Sequence, residues 1–203
     1  MSASESFYNG KFMKICVYSA SSGQVDSSYV EAAGELGRLM AMRGHELING
    51  AGRTGLMGAV TDSMMACGGH TIGVIPQFMV DRGWQHTGMS ELVVTADMHS
   101  RKETMARLSD ACIALPGGVG TLEELLEIIT WKQLGLYVRP IVVLNLEHYF
   151  DPLLQMLRQA ADQRFMRAEH TRLWCVATTP VEALNLCEST PLWNKALGKF
   201  AAL

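Results

Sequence analysis

Apolar and polar positions follow two rhythms along this chain. Short runs rich in β-branched residues, closed by Gly, Pro or small polar residues, alternate with longer stretches whose apolar positions recur every three or four residues. The short runs predict strands at Lys14 to Tyr18, Glu46 to Ile48, Thr71 to Ile75, Leu92 to Thr95, Ala111 to Leu115, Pro140 to Leu144 and Leu173 to Ala177. The longer stretches predict helices from about Asp26 to Met42, from the Gly-rich loop after Ile48 to Gly68, from His99 to Ser109, from Thr121 to Leu134 and from Phe150 to Arg164. A closing helix begins near Pro180, a residue suited to a first helical turn. In the first helix Tyr29, Ala32, Ala33, Leu36, Leu39 and Met40 fall on one face, the one that packs on a core. Strands and helices taken in turn specify an α/β chain, a Rossmann-like open parallel sheet with helices on both faces. Ala111 to Leu115 is almost wholly apolar and is therefore a central strand.

Composition narrows this picture. A chain of 203 residues with 48% hydrophobic content buries one substantial core, so residues 1–203 read as a single domain, without repeats or a linker. Net charge is −3, and the basic residues are scattered apart from Arg101, Lys102 and Arg107, which argues against a nucleic-acid track. No apolar run approaches the roughly 18 residues of a membrane span, and the opening MSASESFYNGKF lacks the pattern of a signal peptide. A soluble, cytoplasmic protein is expected. The five cysteines form no CxxC pair and read as reduced core residues, while the six histidines show no metal-binding spacing. Neither a metal nor a redox cofactor is expected. The segment after Pro76, through Gln85 and His86, is less regular and has the character of a lid or a partner contact.

Chemistry is expected beyond the carboxyl ends of the strands, where open parallel sheets bind ligands. Three loops there are poor in side chains: Ser19 to Gly23, Gly50 to Gly58 and Pro116 to Thr121. Glycines let backbone N–H groups approach an anion, and each loop opens a helix whose positive end faces the same point. One such loop is equally a tight turn; three on one sheet edge favour phosphate. The first loop lacks GxGxxG and no Gly-Lys-Ser/Thr follows any of them, so neither a dinucleotide fingerprint nor a P-loop is present. Thr121 and Glu124 have the spacing of a capping box, yet Glu123, Glu124 and Glu127 beside an anion-binding loop suggest a separate task for one carboxylate. Arg101 and Lys102 open a helix, where positive charge opposes the macrodipole unless an anion is near; ion pairs with neighbours are the alternative. Met57 to Met65 reads as core, with a ligand-pocket lining as the alternative.

Two motifs carry a resemblance to a known family. Pro116-Gly-Gly-Val-Gly-Thr-Leu-Glu-Glu124 and Met98-His-Ser-Arg-Lys102, with Gly55-Leu-Met-Gly58, Ile72-Gly-Val-Ile-Pro76, Thr130-Trp-Lys-Gln-Leu-Gly135 and Asp151-Pro-Leu-Leu154, resemble the LOG (Lonely guy) phosphoribohydrolases that activate cytokinins. The resemblance spans nearly the whole chain. It implies hydrolysis of the N-glycosidic bond of AMP or an N6-substituted AMP to free base and ribose 5-phosphate, without a cofactor, in a homodimer or larger homo-oligomer. By position it makes Arg101 and Glu124 the catalytic pair, and Lys102, Gly117, Gly118, Val119, Gly120, Thr121 and Thr130 substrate-binding. Ser21, in the first Gly-containing loop, joins the substrate-binding set. Ala20 and Ala51 stand where many members have Gly, and Gly83 where a substrate-binding glutamate is common.

Two alternatives belong to other classes. A nucleotide-binding or cofactor-carrier protein without hydrolysis would need the same loops. An amino-acid decarboxylase would need an activated carbonyl cofactor on a lysine, and no lysine has a distinctive setting in the sequence.

Overall fold

The computed structural model describes residues 12–195. The opening stretch read against a signal peptide lies, up to residue 11, outside the described residues. Seven strands form one sheet in which every pairing is parallel: β1 (Lys14–Tyr18), β2 (Glu46–Asn49), β3 (Thr71–Pro76), β4 (Glu91–Thr95), β5 (Ala111–Ala114), β6 (Ile141–Leu144) and β7 (Cys175–Ala177). Their order across the sheet is β4-β3-β2-β1-β5-β6-β7. The chain therefore winds outward from β1 in one direction, returns to the centre, and winds outward in the other. The reversal lies between β1 and β5, where the loops that follow two neighbouring strands diverge and leave a crevice.

Side-chain alternation along the strands separates two cores. In β1, Ile15 and Val17 enter one apolar cluster while Cys16 and Tyr18 enter the other. β5 divides in the same way, with Ala111 and Ile113 on the first face and Cys112 and Ala114 on the second. The first face is covered by α1 (Ser27–Met42), α2 (Gly55–Ala66) and α7 (Pro180–Ser189). The second is covered by α4 (Met98–Leu108), α5 (Val119–Gln133) and α6 (Asp151–Asp162), with Phe150 fully buried at the start of α6. A short α3 (Gln77–Val80) follows β3. Burial on both faces explains why the central strands lack a polar alternate position.

Helix ends account for the differences from the predicted boundaries. Asp26 caps α1, its side chain accepting from the Ser28 N–H at 3.0 Å. Asp97 and Ser100 form a reciprocal capping box, so α4 starts at Met98, one residue before the predicted start. The capping box read from Thr121 and Glu124 is absent. α5 starts two residues earlier, with Gly118 at its N-cap and no side chain bonded to its first turn. Of the cysteines, Cys16, Cys112 and Cys187 are buried and free as expected, but Cys67 at the end of α2 is exposed.

One lysine has a setting that the sequence did not announce. Lys132, in the last turn of α5, is 2% exposed, with no hydrogen bond or ion pair at its ammonium among the described residues. Burial lowers its pKa from the ordinary 10.5 to about 8. Between those two values the unfolded chain holds a proton that the folded chain has lost, so stability rises with pH across this window. Lys132→Met is expected to remove that slope and to raise stability at pH 7 by roughly 1–3 kcal/mol, as burial of an unpaired charge is relieved. Urea unfolding of both proteins at pH 7 and pH 10 measures it; a destabilised variant at pH 7 would show that the ammonium has found a counter-charge.

Candidate functional site

The three Gly-containing loops meet at the crevice between β1 and β5. They enclose a cavity of about 700 Å³ lined by Ser19 to Ser22 from the first loop, by Gly50, Gly52, Arg53, Thr54 and Met57 from the second, and by Gly118, Gly120, Thr121 and Glu124 from the third. Backbone bonds hold the loops together. The Ala20 N–H donates to Pro116 O at 3.3 Å, the Met57 N–H to Ala20 O at 3.1 Å, and the Thr54 hydroxyl to Ser21 O at 2.7 Å. From the last third of the chain, the Tyr149 hydroxyl donates to Gly117 O at 2.7 Å and braces the third loop from behind.

Arg101 reaches this cavity from α4 and Glu124 from α5. The Arg101 Nη1 lies 3.1 Å from Glu124 Oε1, and both side chains are 8% exposed. Arg101 Nε donates to Val74 O at 3.1 Å, which ties the guanidinium to the end of β3. Gly50 makes room for it, because a Cβ at that position would overlap the guanidinium. Burial pushes the Glu124 carboxyl above the usual range; Arg101 opposes this and Glu123 adds to it. The carboxylate is thus turned into the cavity and onto Arg101, and it takes no part in stapling its own helix.

Helical periodicity divides the three glutamates. Glu123 and Glu127 lie one turn apart and both bind Lys102 Nζ, Glu127 at 3.1 Å. Lys102 is therefore engaged by two carboxylates and does not line this cavity. Thr130 also faces away, its hydroxyl bonded to Leu126 O at 2.8 Å. Val119 is 84% exposed and does not line the cavity, and Gly117 sits behind the loop. Ser21, Arg101, Gly118, Gly120, Thr121 and Glu124 do line it.

Several lining residues went unremarked. The Ser19 hydroxyl, at the end of β1, is buried without a hydrogen-bond partner, a deficit that a polar ligand would relieve. Arg53 adds a second guanidinium. Ile75, Met79, Trp84 and Met98, with Met57 of the second loop, form the apolar part of the lining. Met57 is the one residue of the Met-rich helix to line the cavity, while Met64 is core. Met79 and Trp84 belong to the irregular segment after β3, which is fixed to the second loop. Gln85 bridges Gly52, and the His86 N–H donates to Ala51 O at 2.7 Å. Ala51 takes φ 59°, a strained conformation for a residue with a Cβ. Gly83 takes φ 68°, where a glutamate would be strained too. Among the described residues no three His, Cys, Asp or Glu side chains gather to hold a metal.

Comparison with known proteins agrees with this geometry. The family described as "Possible lysine decarboxylase" matches residues 57–187. The chain is 42% identical over 184 residues to the cytokinin riboside 5′-monophosphate phosphoribohydrolase LOG4 of Arabidopsis thaliana, covering 91% of this chain and 86% of that one. It is also 42% identical over 188 residues to the enzyme LOG of Oryza sativa subsp. japonica, covering 92% and 78%. The chain belongs to the LOG family. Among solved structures, it is similar to the structural-genomics target TM1055, with TM-score 0.66 and 25% identity over 85% of this chain and 96% of that one. The molybdenum cofactor carrier protein of Chlamydomonas reinhardtii aligns with TM-score 0.65 over 86% of this chain and 95% of that one. At 20% identity that likeness shows the fold alone. Members of the LOG family carry the decarboxylase label too, but Lys132, the lysine with a lowered pKa, does not line the cavity.

The site depends on Gly50. Gly50→Ala is expected to drive the Arg101 guanidinium off Glu124, cutting turnover of a cleavable nucleotide by about tenfold or more, the scale of a misplaced positioning group. The fold should persist, which circular dichroism checks alongside the assay; undiminished turnover would show that the pair need not be in register.

Proposed function

We propose that the chain hydrolyses the N-glycosidic bond of AMP or an N6-substituted adenosine 5′-monophosphate, releasing the base and ribose 5-phosphate. The observation that carries this reading is the buried Arg101–Glu124 pair facing a crevice that is also lined by the uncapped start of α5. The family membership supports it, since the relatives above are named as phosphoribohydrolases of cytokinin riboside 5′-monophosphates.

Each wall has a part in the reaction. An uncapped helix start offers free N–H groups and a positive dipole end, which suit the 5′-phosphate. Cleavage of the C1′–N9 bond sends its electron pair to the base and leaves oxocarbenium-like charge on the ribose. Glu124 stabilises that charge and accepts a proton from the water that attacks C1′, and the departing base takes up a proton in exchange. Arg101 holds the carboxylate in place and keeps it ionised against the cost of burial. The apolar sector of Met57, Ile75, Met79, Trp84 and Met98 suits the base and an apolar N6 substituent. A carrier protein would use the same cradle, but it would have no need for a buried carboxylate there.

The reading includes a cytoplasmic homodimer. Among the described residues no helix is long and apolar enough to cross a membrane. A cleft of about 620 Å³ beside α4 and α5, where Trp131, Tyr137 and the exposed Leu136 are flanked by Glu103, Arg107 and Arg139, offers a second copy a surface of mixed apolar and charged character.

Glu124→Gln should lower kcat by about a hundredfold or more while leaving nucleotide affinity within a few fold, with released base read by chromatography from AMP and isopentenyl-AMP. Normal turnover would remove Glu124 from the mechanism. In the wild type, kcat should fall as pH drops through the raised Glu124 pKa, so its acid limb should lie above the ordinary carboxylate value of 4.5. Light scattering should give twice the 22.3 kDa chain mass or a higher multiple; a monomer would reject the assembly.

A further inference from the structure

Three charged side chains line the cavity: Arg53, Arg101 and Glu124. Two of them answer each other. The guanidinium of Arg101 is occupied by Glu124 through Nη1 and by Val74 O through Nε, and its Nη2 packs against Gly50. Lys102, the other basic residue of that helix, is turned away and bound by two glutamates. The walls therefore carry no net charge from their paired residues, whereas a 5′-phosphate brings nearly two negative charges. Arg53 supplies the missing cation. Its side chain is exposed at the cavity edge, with no ion pair or hydrogen bond among the described residues.

Its backbone is well placed for such a task. Arg53 lies between Gly52, bridged to Gln85, and Thr54, whose hydroxyl is bonded to Ser21 O, so the residue stands on a loop anchored on both sides. The same cavity is lined by Gly118 and Gly120 at the uncapped start of α5. At the end of β1 the Ser19 hydroxyl, 4% exposed and without a partner among the described residues, is a second sign that this cavity awaits a polar ligand. Exposed arginines are commonly only solvated. An unpaired one on an anchored loop, in a cavity whose other cation is already neutralised, has a different standing.

We propose that Arg53 is the specificity residue that clamps the substrate's 5′-phosphate and makes the enzyme prefer a nucleoside monophosphate to the nucleoside. This rests on the hydrolase reading for its substrate, but the clamp can be read separately through binding. A guanidinium closes two-point hydrogen bonds on a phosphate, and the start of α5 on the same cavity contributes its dipole. Because Arg53 is exposed, its attraction is weakened by salt.

The experiment compares wild type with Arg53→Ala, Arg53→Gln and Arg53→Lys, using AMP and adenosine at low and moderate ionic strength. Arg38→Ala, which removes a surface partner of Glu35 on α1, serves as the control. Arg53→Ala and Arg53→Gln should raise KM for AMP by about ten- to hundredfold, the range of a hydrogen bond to a charged group, with kcat within about twofold. The preference for AMP over adenosine should shrink by the same factor, the salt dependence of KM should flatten, and Arg53→Lys should recover part of the loss. KM within about twofold of wild type in both neutral variants overturns the clamp. If wild type cleaves neither AMP nor isopentenyl-AMP, the hydrolase reading fails, and calorimetry with ribose 5-phosphate decides Arg53. Binding by wild type that is lost in Arg53→Ala sustains the clamp; equal affinities, or no binding by wild type, reject it.

Discussion

Arg101 and Glu124 are both withdrawn from water, and two charges so placed persist only when each compensates the other. That requirement organises much of the molecule. The guanidinium needs the carbonyl of Val74 at the end of β3, the empty space above Gly50, and a helix start set by Asp97 and Ser100. The carboxylate needs α5 to begin at Val119, so that Glu124 falls in its second turn and faces the cavity while Glu123 and Glu127 face Lys102. Removing one partner leaves the other as a buried uncompensated charge, so neither position is free to vary alone.

On the proposed mechanism, the same pair separates catalysis from binding. A cradle of backbone N–H groups holds an anion without any carboxylate nearby, and a carboxylate close to a phosphate is otherwise unfavourable. Its retention against the cost of burial makes sense where positive charge develops during a reaction. The fold shared with a cofactor carrier is therefore no guide to activity, which has to be argued from the site.

Much of this was legible in the sequence, for identifiable reasons. The central strands were legible because burial on both faces leaves runs such as Ala111 to Leu115 with no polar alternation, and the exposed edge strand β4 because of its β-branched run Val93 to Thr95. The three loops were found because glycines mark where backbone must come close to something else. Spacing alone leaves Thr121 and Glu124 open between a capping box and an interior helical pair, and only the true start of α5 distinguishes them. Arg101 and Lys102 are neighbours in sequence, but one residue along a helix is about 100° around it, so they face different environments that the sequence does not separate. Arg53, Ser19 and Trp84 were missed because an exposed arginine, an orphan hydroxyl and a half-exposed indole have no sequence signature. What marks them is the absence of a partner or the presence of a cavity. Lys132 is the converse case: it stands three, four and seven residues after Ile129, Ile128 and Leu125 on the buried stripe of α5, so its position predicts a burial that its residue type does not.

The winding order of the sheet also divides labour along the chain. Among the described residues, those that line the cavity occur at or before Glu124; β6, β7, α6 and α7 contribute none, and the Tyr149 brace behind Gly117 comes from the segment between β6 and α6. Without that later part, β5 would become an edge strand with open hydrogen-bonding groups. Selection for a new substrate should thus leave its marks in the first two-thirds of the sequence, while drift in the remainder tunes how long the folded enzyme lasts.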